Sequence, residues 1–498
     1  MPSVMIQGAG SNVGKSLVVA GLCRLFARQG ISVYPFKPQN MSNNAAATHD
    51  GGEIGRAQAL QALAAGVLPS VNMNPILLKP ESEAGSQVIV QGKYWGRMNA
   101  REFSRCKSEF LPITLSSYNY LANQADLIIV EGAGSPAEIN LRTGDIANMG
   151  FAEAADLPVI LIGDIERGGV IASLVGTHAV LSPNDKAHIK AFIINKFLGD
   201  ISLFDDGMKY IHNRTGWSPL GVIPFFSDVT KLPAEDTLDI ERTSQNQIRK
   251  GHKILKIAVP IAGRVANFDD LDPLRLEPNV QLEIVRIGQT LPLDADLIIL
   301  PGSKATIADL NILYAEGWHI DIAAHIRRGG HILGLCGGYQ MLGNVIADPN
   351  GIEGYTGKIT GLKLLNIETF LSDKKIVRPI VGMHIPSGIE VAGYEIHTGH
   401  TFGPDTIRPV FKLNGVNEGS TSVCGHITGT YLHGIFSNDA FRHYFLSSLR
   451  AGVATKEFAY QNKVQSTLDD FADHLAKHID CEAVWDIACQ KSSSQPHN

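Results

Sequence analysis

The stretch Val4-Met5-Ile6-Gln7-Gly8-Ala9-Gly10-Ser11-Asn12-Val13-Gly14-Lys15-Ser16 carries an apolar run into a glycine-rich turn and then into a helical pattern. Leu17, Val18, Leu22, Leu25 and Phe26 form the apolar side of that helix, and Gly30 is its stop. In such a strand–turn–helix context backbone N–H groups curl around phosphate oxygens, and the helix dipole favours the anion. Gly8, Ser11, Gly14, Lys15 and Ser16 are therefore assigned to ATP. Lys15 reaches the terminal phosphates and the Ser16 hydroxyl is a ligand for Mg2+. The usual spacing would place the first glycine at position 9, which is Ala9, so the loop from Gly8 is one residue longer.

The same alternation of short apolar runs and helical stretches recurs along the chain. Strands are expected at Val4 to Ile6, Leu127 to Val130, Val159 to Ile162, Phe192 to Ile194, Ile254 to Val259, Leu297 to Leu300 and Ile332 to Leu335. This pattern predicts an α/β fold of two doubly wound, mainly parallel-sheet domains. Ligands of such sheets bind beyond the C-terminal strand ends. Glu131 and Asp164 stand at two of those ends, and Glu131, in the same sheet as the phosphate loop, is the expected magnesium ligand.

Between about Asp228 and Lys253 the alternation stops and polar residues take over, as in Ser244-Gln245-Asn246-Gln247. The expected division is residues 1–228, a linker at 229–253, a second domain at 254–447, and a helical extension with a frayed tail at 448–498. In that extension Leu468, Phe471, Leu475 and Ile479 recur at helical spacing, with Ser466 as the expected N-cap.

In the second half, Gly334-Leu335-Cys336-Gly337-Gly338 follows Ile332-Leu333 and has the form of a nucleophile elbow with cysteine in place of serine. A cysteine in an apolar run is ordinarily a core residue. Three flanking glycines point instead to a tight turn that exposes the thiol, with the N–H of Gly337 facing a developing oxyanion. Gly302, in Leu300-Pro301-Gly302-Ser303-Lys304, is a second candidate oxyanion donor. The base a thiol nucleophile needs is sought in His433, with His397 and His400 as competitors.

Charge and composition restrict the partners. Hydrophobic residues make up 44% and charged residues 18%, an ordinary globular balance, and the net charge is -6 without a long basic run. Neither nucleic acid nor an anionic membrane is an expected partner. No apolar stretch approaches the length of a membrane span, no secretory leader is read, and six scattered cysteines form no close pair. A reducing cytoplasm is the expected location.

Taken together these residues resemble the class I glutamine amidotransferases, and more narrowly the cobyric acid synthase family of the cobalamin pathway. The resemblance runs from Gln7 to about Asp480. It rests on Lys37 to Asn44, Asp50 to Gln58, Asn74 to Pro80, Val130 to Asn140, Asp164 to Gly169, the elbow, and Tyr431-Leu432-His433-Gly434. The long loop is similar to that of the dethiobiotin synthetase branch.

The resemblance implies Cys336 as glutaminase nucleophile and His433 as its base. Many relatives carry a glutamate two residues after this histidine, where this chain has Ile435. What orients the imidazole is therefore open. The implied reaction is ATP- and glutamine-dependent amidation of carboxylates b, d, e and g of adenosylcobyrinic acid a,c-diamide, giving adenosylcobyric acid. Such a polyanionic corrinoid calls for cations, and Lys37, Arg56, Lys79, Arg142 and Arg167 in or beside the matched loops are the candidates. Glu53 is a further magnesium candidate by similarity to the dethiobiotin synthetase branch. Cobyrinic acid a,c-diamide synthase, or another ATP-dependent amidotransferase, is the alternative.

Overall fold

The computed structural model describes residues 1–82, 85–233, 254–263, 265–353, 356–455 and 457–490. Most of the expected linker, 234–253, and the expected tail from 491 lie outside the described residues. The chain divides into two compact units. One comprises Met1–Ser42, Gly52–Leu232 and the described residues from Gln465 onward; the other comprises Asn43–Gly51 and the described residues of 233–464.

The first unit is built on six parallel strands: β1 (Ser3–Gly8), β2 (Val33–Phe36), β3 (Leu127–Glu131), β4 (Val159–Asp164), β5 (Ile189–Phe197) and β6 (Ser218–Pro224). Their order is β6-β5-β4-β1-β3-β2, so the chain reverses direction across the sheet beside β1. The central strands β1 and β3 are buried along their whole length because helices cover both faces, while the edge strand β6 begins exposed. Helix α1 (Lys15–Arg28) follows β1, and α2 (Arg56–Ala65) packs against it. The switch point thus places the ends of β1, β3 and β4 around one crevice.

The C-terminal helices α4 (Tyr460–His478) and α5 (Cys481–Cys489) bound this unit. Ser466 is not the N-cap: the helix starts earlier, at Tyr460, and Ser466 lies within it. The apolar spacing of Leu468, Phe471 and Leu475 lies within the helix, which begins six residues upstream of the expected cap. Leu468, Phe471 and Leu475 are buried, and a Cβ on Gly21 of α1 would stand 2.5 Å from Leu475 and 2.7 Å from Phe471. Glycine here permits the close approach. Arg24 closes the seam with two hydrogen bonds to Asp469, at 2.8 and 3.0 Å. This packing joins the described residues from Gln465 onward to the first unit.

The second unit has a central sheet of β7 (Leu255–Ile261), β8 (Val280–Arg286), β9 (Leu297–Leu300) and β10 (His331–Leu335). A long hairpin of β11 (Glu368–His384) and β12 (Ile389–Phe402) follows, then β13 (Ser420–Thr421), β14 (Ile427–Thr430) and β15 (Leu432–His433). The central order is β8-β7-β9-β10-β14-β13, parallel except for β13. β15 leaves it to pair antiparallel with β12, Tyr394 opposite His433. Residues 43–51 fall in this unit instead of the expected first domain, and the Ala45 amide donates to Asn267 at 3.4 Å.

Candidate active sites

In the first unit, β1 ends at Gly8 and the turn closes on Gly14, whose φ of 94° is left-handed. A Cβ at Gly14 would stand 2.4 Å from the Asn195 side chain, so both the conformation and the space require glycine. No side chain caps α1, which leaves its first-turn N–H groups facing the turn. Lys15 is buried and curls back over the loop, donating to the carbonyls of Gly10 (3.3 Å) and Gly134 (3.0 Å). Asn195 and Lys196 brace the loop from β5 through the carbonyls of Val13 and Asn12.

Glu131, at the end of β3, is the hub of this site. Its Oε1 accepts from Ser16 and from Lys37, each at 2.7 Å, and its Oε2 accepts from Gln61 at 2.6 Å and Gln58 at 3.4 Å. Burial pushes the carboxyl up. The Lys37 charge, with hydrogen bonds from Lys37, Gln61 and Ser16, outweighs that and holds it below its usual value. A buried anion beside a hydroxyl, at the end of a phosphate loop, is the hard oxygen donor set that suits Mg2+.

The other acidic and cationic candidates are placed differently. Glu53 and Lys79, expected as a metal ligand and a substrate cation, are both sealed from solvent and ion-paired with each other. The two expected roles were separate, and the structure joins the residues in one buried ion pair. Lys37 is likewise buried and spent on Glu131. Arg142 forks onto Asp185 and also reaches Glu153 at 2.6 Å, although it lines a cleft of about 160 Å³ with Gly134, Ser135 and Asn148. Asp164 takes Lys196 at 2.8 Å. Arg167 is mostly exposed, 3.9 Å from Asp164, and Arg56 is the first residue of α2.

In the second unit, β10 delivers Cys336 to the elbow and α3 (Gly337–Met341) leaves it. Cys336 has φ 50° and ψ -106°, a conformation that a non-glycine residue holds only when its surroundings enforce it. The surroundings are tight. A Cβ at Gly338 would stand 2.0 Å from the Leu300 carbonyl, and one at Gly334 would stand 2.7 Å from that of Gly338. A Cβ at Gly337 would lie 2.9 Å from the Ser303 nitrogen, and one at Gly302 would lie 3.3 Å from Cε1 of His433. Both expected oxyanion glycines therefore converge on the elbow.

His433, buried on β15, is the histidine whose charge Cys336 influences; the Cys336 Sγ donates to the Ile396 carbonyl at 3.5 Å, and Asn267 Nδ2 lies 3.4 Å from His433 Nε2. Its competitors sit elsewhere: His397 stacks on Tyr431, with ring centroids 3.9 Å apart, and His400 leans toward Phe402. The third member is Asp270, in the turn Phe268–Leu271 that follows β7. Its Oδ2 lies 2.7 Å from His433 Nδ1, and its Oδ1 accepts the Gly434 amide at 2.6 Å. Burial opposes a charge on the imidazole. The Asp270 carboxylate and the neighbouring Cys336 more than offset it and raise His433 to about 10. Asp270 thus fills the role vacated at Ile435, which is a buried core residue.

Sequence reading missed Asp270, Gln58 and Gln61. Asp270 stands 163 residues before its partner, with no local motif. The available signal was position alone: the acidic pair Asp269-Asp270, ten residues past the end of the strand expected at Ile254 to Val259.

Two family models cover most of the chain: the CobQ/CobB/MinD/ParA nucleotide binding domain matches residues 4–240, and the CobB/CobQ-like glutamine amidotransferase domain matches 256–441. A cobyric acid synthase of Cereibacter sphaeroides is 55% identical over 488 residues, spanning 98% of this chain and 100% of the relative. The chain belongs to the cobyric acid synthase family. The cobyric acid synthase of Ruegeria sp. is 56% identical, over 97% of this chain and 98% of its own. That of Bradyrhizobium diazoefficiens is 54% identical, over 98% and 99%. This family membership makes the chain a glutamine amidotransferase ligase of cobalamin biosynthesis, with the α/β architecture expected from the sequence. Among the described residues, no helix is long and apolar enough to cross a membrane.

Proposed function

We propose that the chain converts adenosylcobyrinic acid a,c-diamide to adenosylcobyric acid by amidating carboxylates b, d, e and g at the expense of ATP and glutamine. One observation carries the reading: a single chain holds a phosphate loop centred on Lys15, Ser16 and Glu131 and also a Cys336–His433–Asp270 array.

In the glutaminase, the Cys336 thiolate attacks the side-chain amide carbon of glutamine, and the N–H groups of Gly337 and Gly302 take up the oxyanion. The His433 imidazolium gives its Nε2 proton to the departing nitrogen, which leaves as ammonia while a thioester forms. Asp270 fixes the proton on Nδ1 and stabilises the imidazolium between these steps. Water, deprotonated by His433, then cleaves the thioester to glutamate and restores the thiol.

In the first unit a carboxylate becomes an electrophile by taking the terminal phosphoryl group of ATP as an acyl phosphate, which ammonia displaces to give the amide. Lys15 and the uncapped amides of α1 bind the phosphates. Ser16 and Glu131 would hold Mg2+, which when bound neutralises phosphate charge. Lys37 keeps Glu131 ionised for that task.

Incubation of the purified chain with ATP, Mg2+, glutamine and adenosylcobyrinic acid a,c-diamide, followed by corrinoid mass spectrometry, tests the proposal. A ladder of products ending at the tetra-amidated corrinoid is expected. An unchanged corrinoid, with ATP consumed on another carboxylate, would remove the substrate assignment.

A further inference from the structure

Tyr394, on β12 directly opposite His433, lays its ring parallel to the imidazole, with centroids 5.3 Å apart and planes 16° apart. Its hydroxyl donates to the buried carboxylate of Asp269, 3.1 Å from Oδ1 and 3.0 Å from Oδ2. Asp269 immediately precedes Asp270, which takes Nδ1 of the same histidine. One acidic turn therefore grips the imidazole along two directions. Asp270 holds an edge in the ring plane, and Asp269, through Tyr394, holds the face. The hydrogen bond to Nδ1 fixes one ring atom, and Asn267 Nδ2 lies 3.4 Å from Nε2 at the opposite edge. Neither contact presses on the ring face, so rotation out of the plane still swings Nε2 away. A stacked ring tied at its far end opposes that motion.

We propose that Tyr394 and Asp269 are positioning residues for glutaminase chemistry, acting on His433 as one unit. The proposal rests on the glutaminase reading of Cys336 and His433, but not on the corrinoid substrate. If Tyr394 acts through Asp269, removing either partner of their hydrogen bond has the same consequence, and removing both adds nothing.

The test measures glutamate release from glutamine by the full chain carrying Tyr394→Phe, Asp269→Ala, or both. Tyr394→Leu, which removes the ring, is measured beside them. We expect kcat to fall about tenfold in Tyr394→Phe, as for the loss of one orienting hydrogen bond, with KM for glutamine nearly unchanged. The double variant is expected to match Tyr394→Phe, and Tyr394→Leu to fall further. Unchanged kcat in Tyr394→Phe, independent losses that multiply in the double variant, or a rise in KM without a fall in kcat would each overturn the proposal. A melting temperature lowered in step with the loss of kcat would also overturn it, since it would assign the pair to stability alone. If the unsubstituted chain releases no glutamate, the glutaminase reading itself fails, which is a separate result.

Discussion

Asp270 accepts from Nδ1 of His433 at 2.7 Å across 163 residues of sequence, and the same carboxylate holds the Gly434 amide that follows the histidine. The imidazole is thereby held at its Nδ1 edge, with Nε2 at the opposite edge 3.4 Å from Asn267 Nδ2. This places the orienting acid on the turn after the first strand of the second unit, not beside the histidine in sequence. Asp270→Asn keeps the shape and loses the charge. Glutamine hydrolysis should fall by about two orders of magnitude, the scale of general acid–base catalysis. Amidation driven by added ammonium should be retained. Parallel assays with the two nitrogen donors check this.

The same ion pair makes stability depend on pH. His433 is raised in the folded chain from the ordinary 6.5 to about 10, so the folded state binds its proton more tightly than the unfolded one. The contribution is complete below about 6.5 and is lost as pH rises through about 10. Urea midpoints measured across that interval should decline in the unsubstituted chain. The decline should flatten in Asp270→Asn, which lacks the charge that raises the imidazole.

Glu131 gathers Ser16, Lys37 and Gln61 on one carboxylate. Glu131→Gln should abolish ATP-dependent amidation, with glutamine and with ammonium alike, and Lys15→Ala should do the same. Glutamate release should survive in both. Because the Glu131 pKa is depressed, its contribution to stability exists above the ordinary carboxylate range and is lost as pH falls through the folded value. An acid titration of the unfolding midpoint should be shallower in Glu131→Gln.

The elbow depends on backbone contact. A Cβ at Gly338 would stand 2.0 Å from the Leu300 carbonyl, which cannot rotate away as a side chain can. Gly338→Ala should destabilise the chain by about 1–3 kcal/mol, the scale of overpacking. Displacement of the turn should also remove glutaminase activity. Chemical denaturation and a glutamate assay on the same sample read both effects.

Much of this was legible in the sequence because it is written in contiguous segments. The phosphate loop, the carboxylate of Glu131 at a strand end and the elbow at Cys336 each combine a strand period, a glycine turn and one reactive side chain within a few residues. His433 was singled out with the help of its short strand and of the family resemblance. What stayed hidden depends on tertiary neighbours. Asp270 meets its histidine only after the sheet forms, and the buried pairing of Lys79 with Glu53 joins residues 26 apart in sequence. Ser466 has the chemistry of an N-cap, but packing starts the helix upstream and leaves it mid-helix.

The central claim is that one chain carries two separable reactions, glutamine hydrolysis at Cys336 and ATP-dependent amidation at Lys15, Ser16 and Glu131. Its most direct test is corrinoid amidation by Cys336→Ala with either glutamine or ammonium as nitrogen source. The account predicts no product with glutamine and the full amidated series with ammonium. Product from glutamine in the absence of the Cys336 thiol, or none from ammonium with a folded protein, would contradict it.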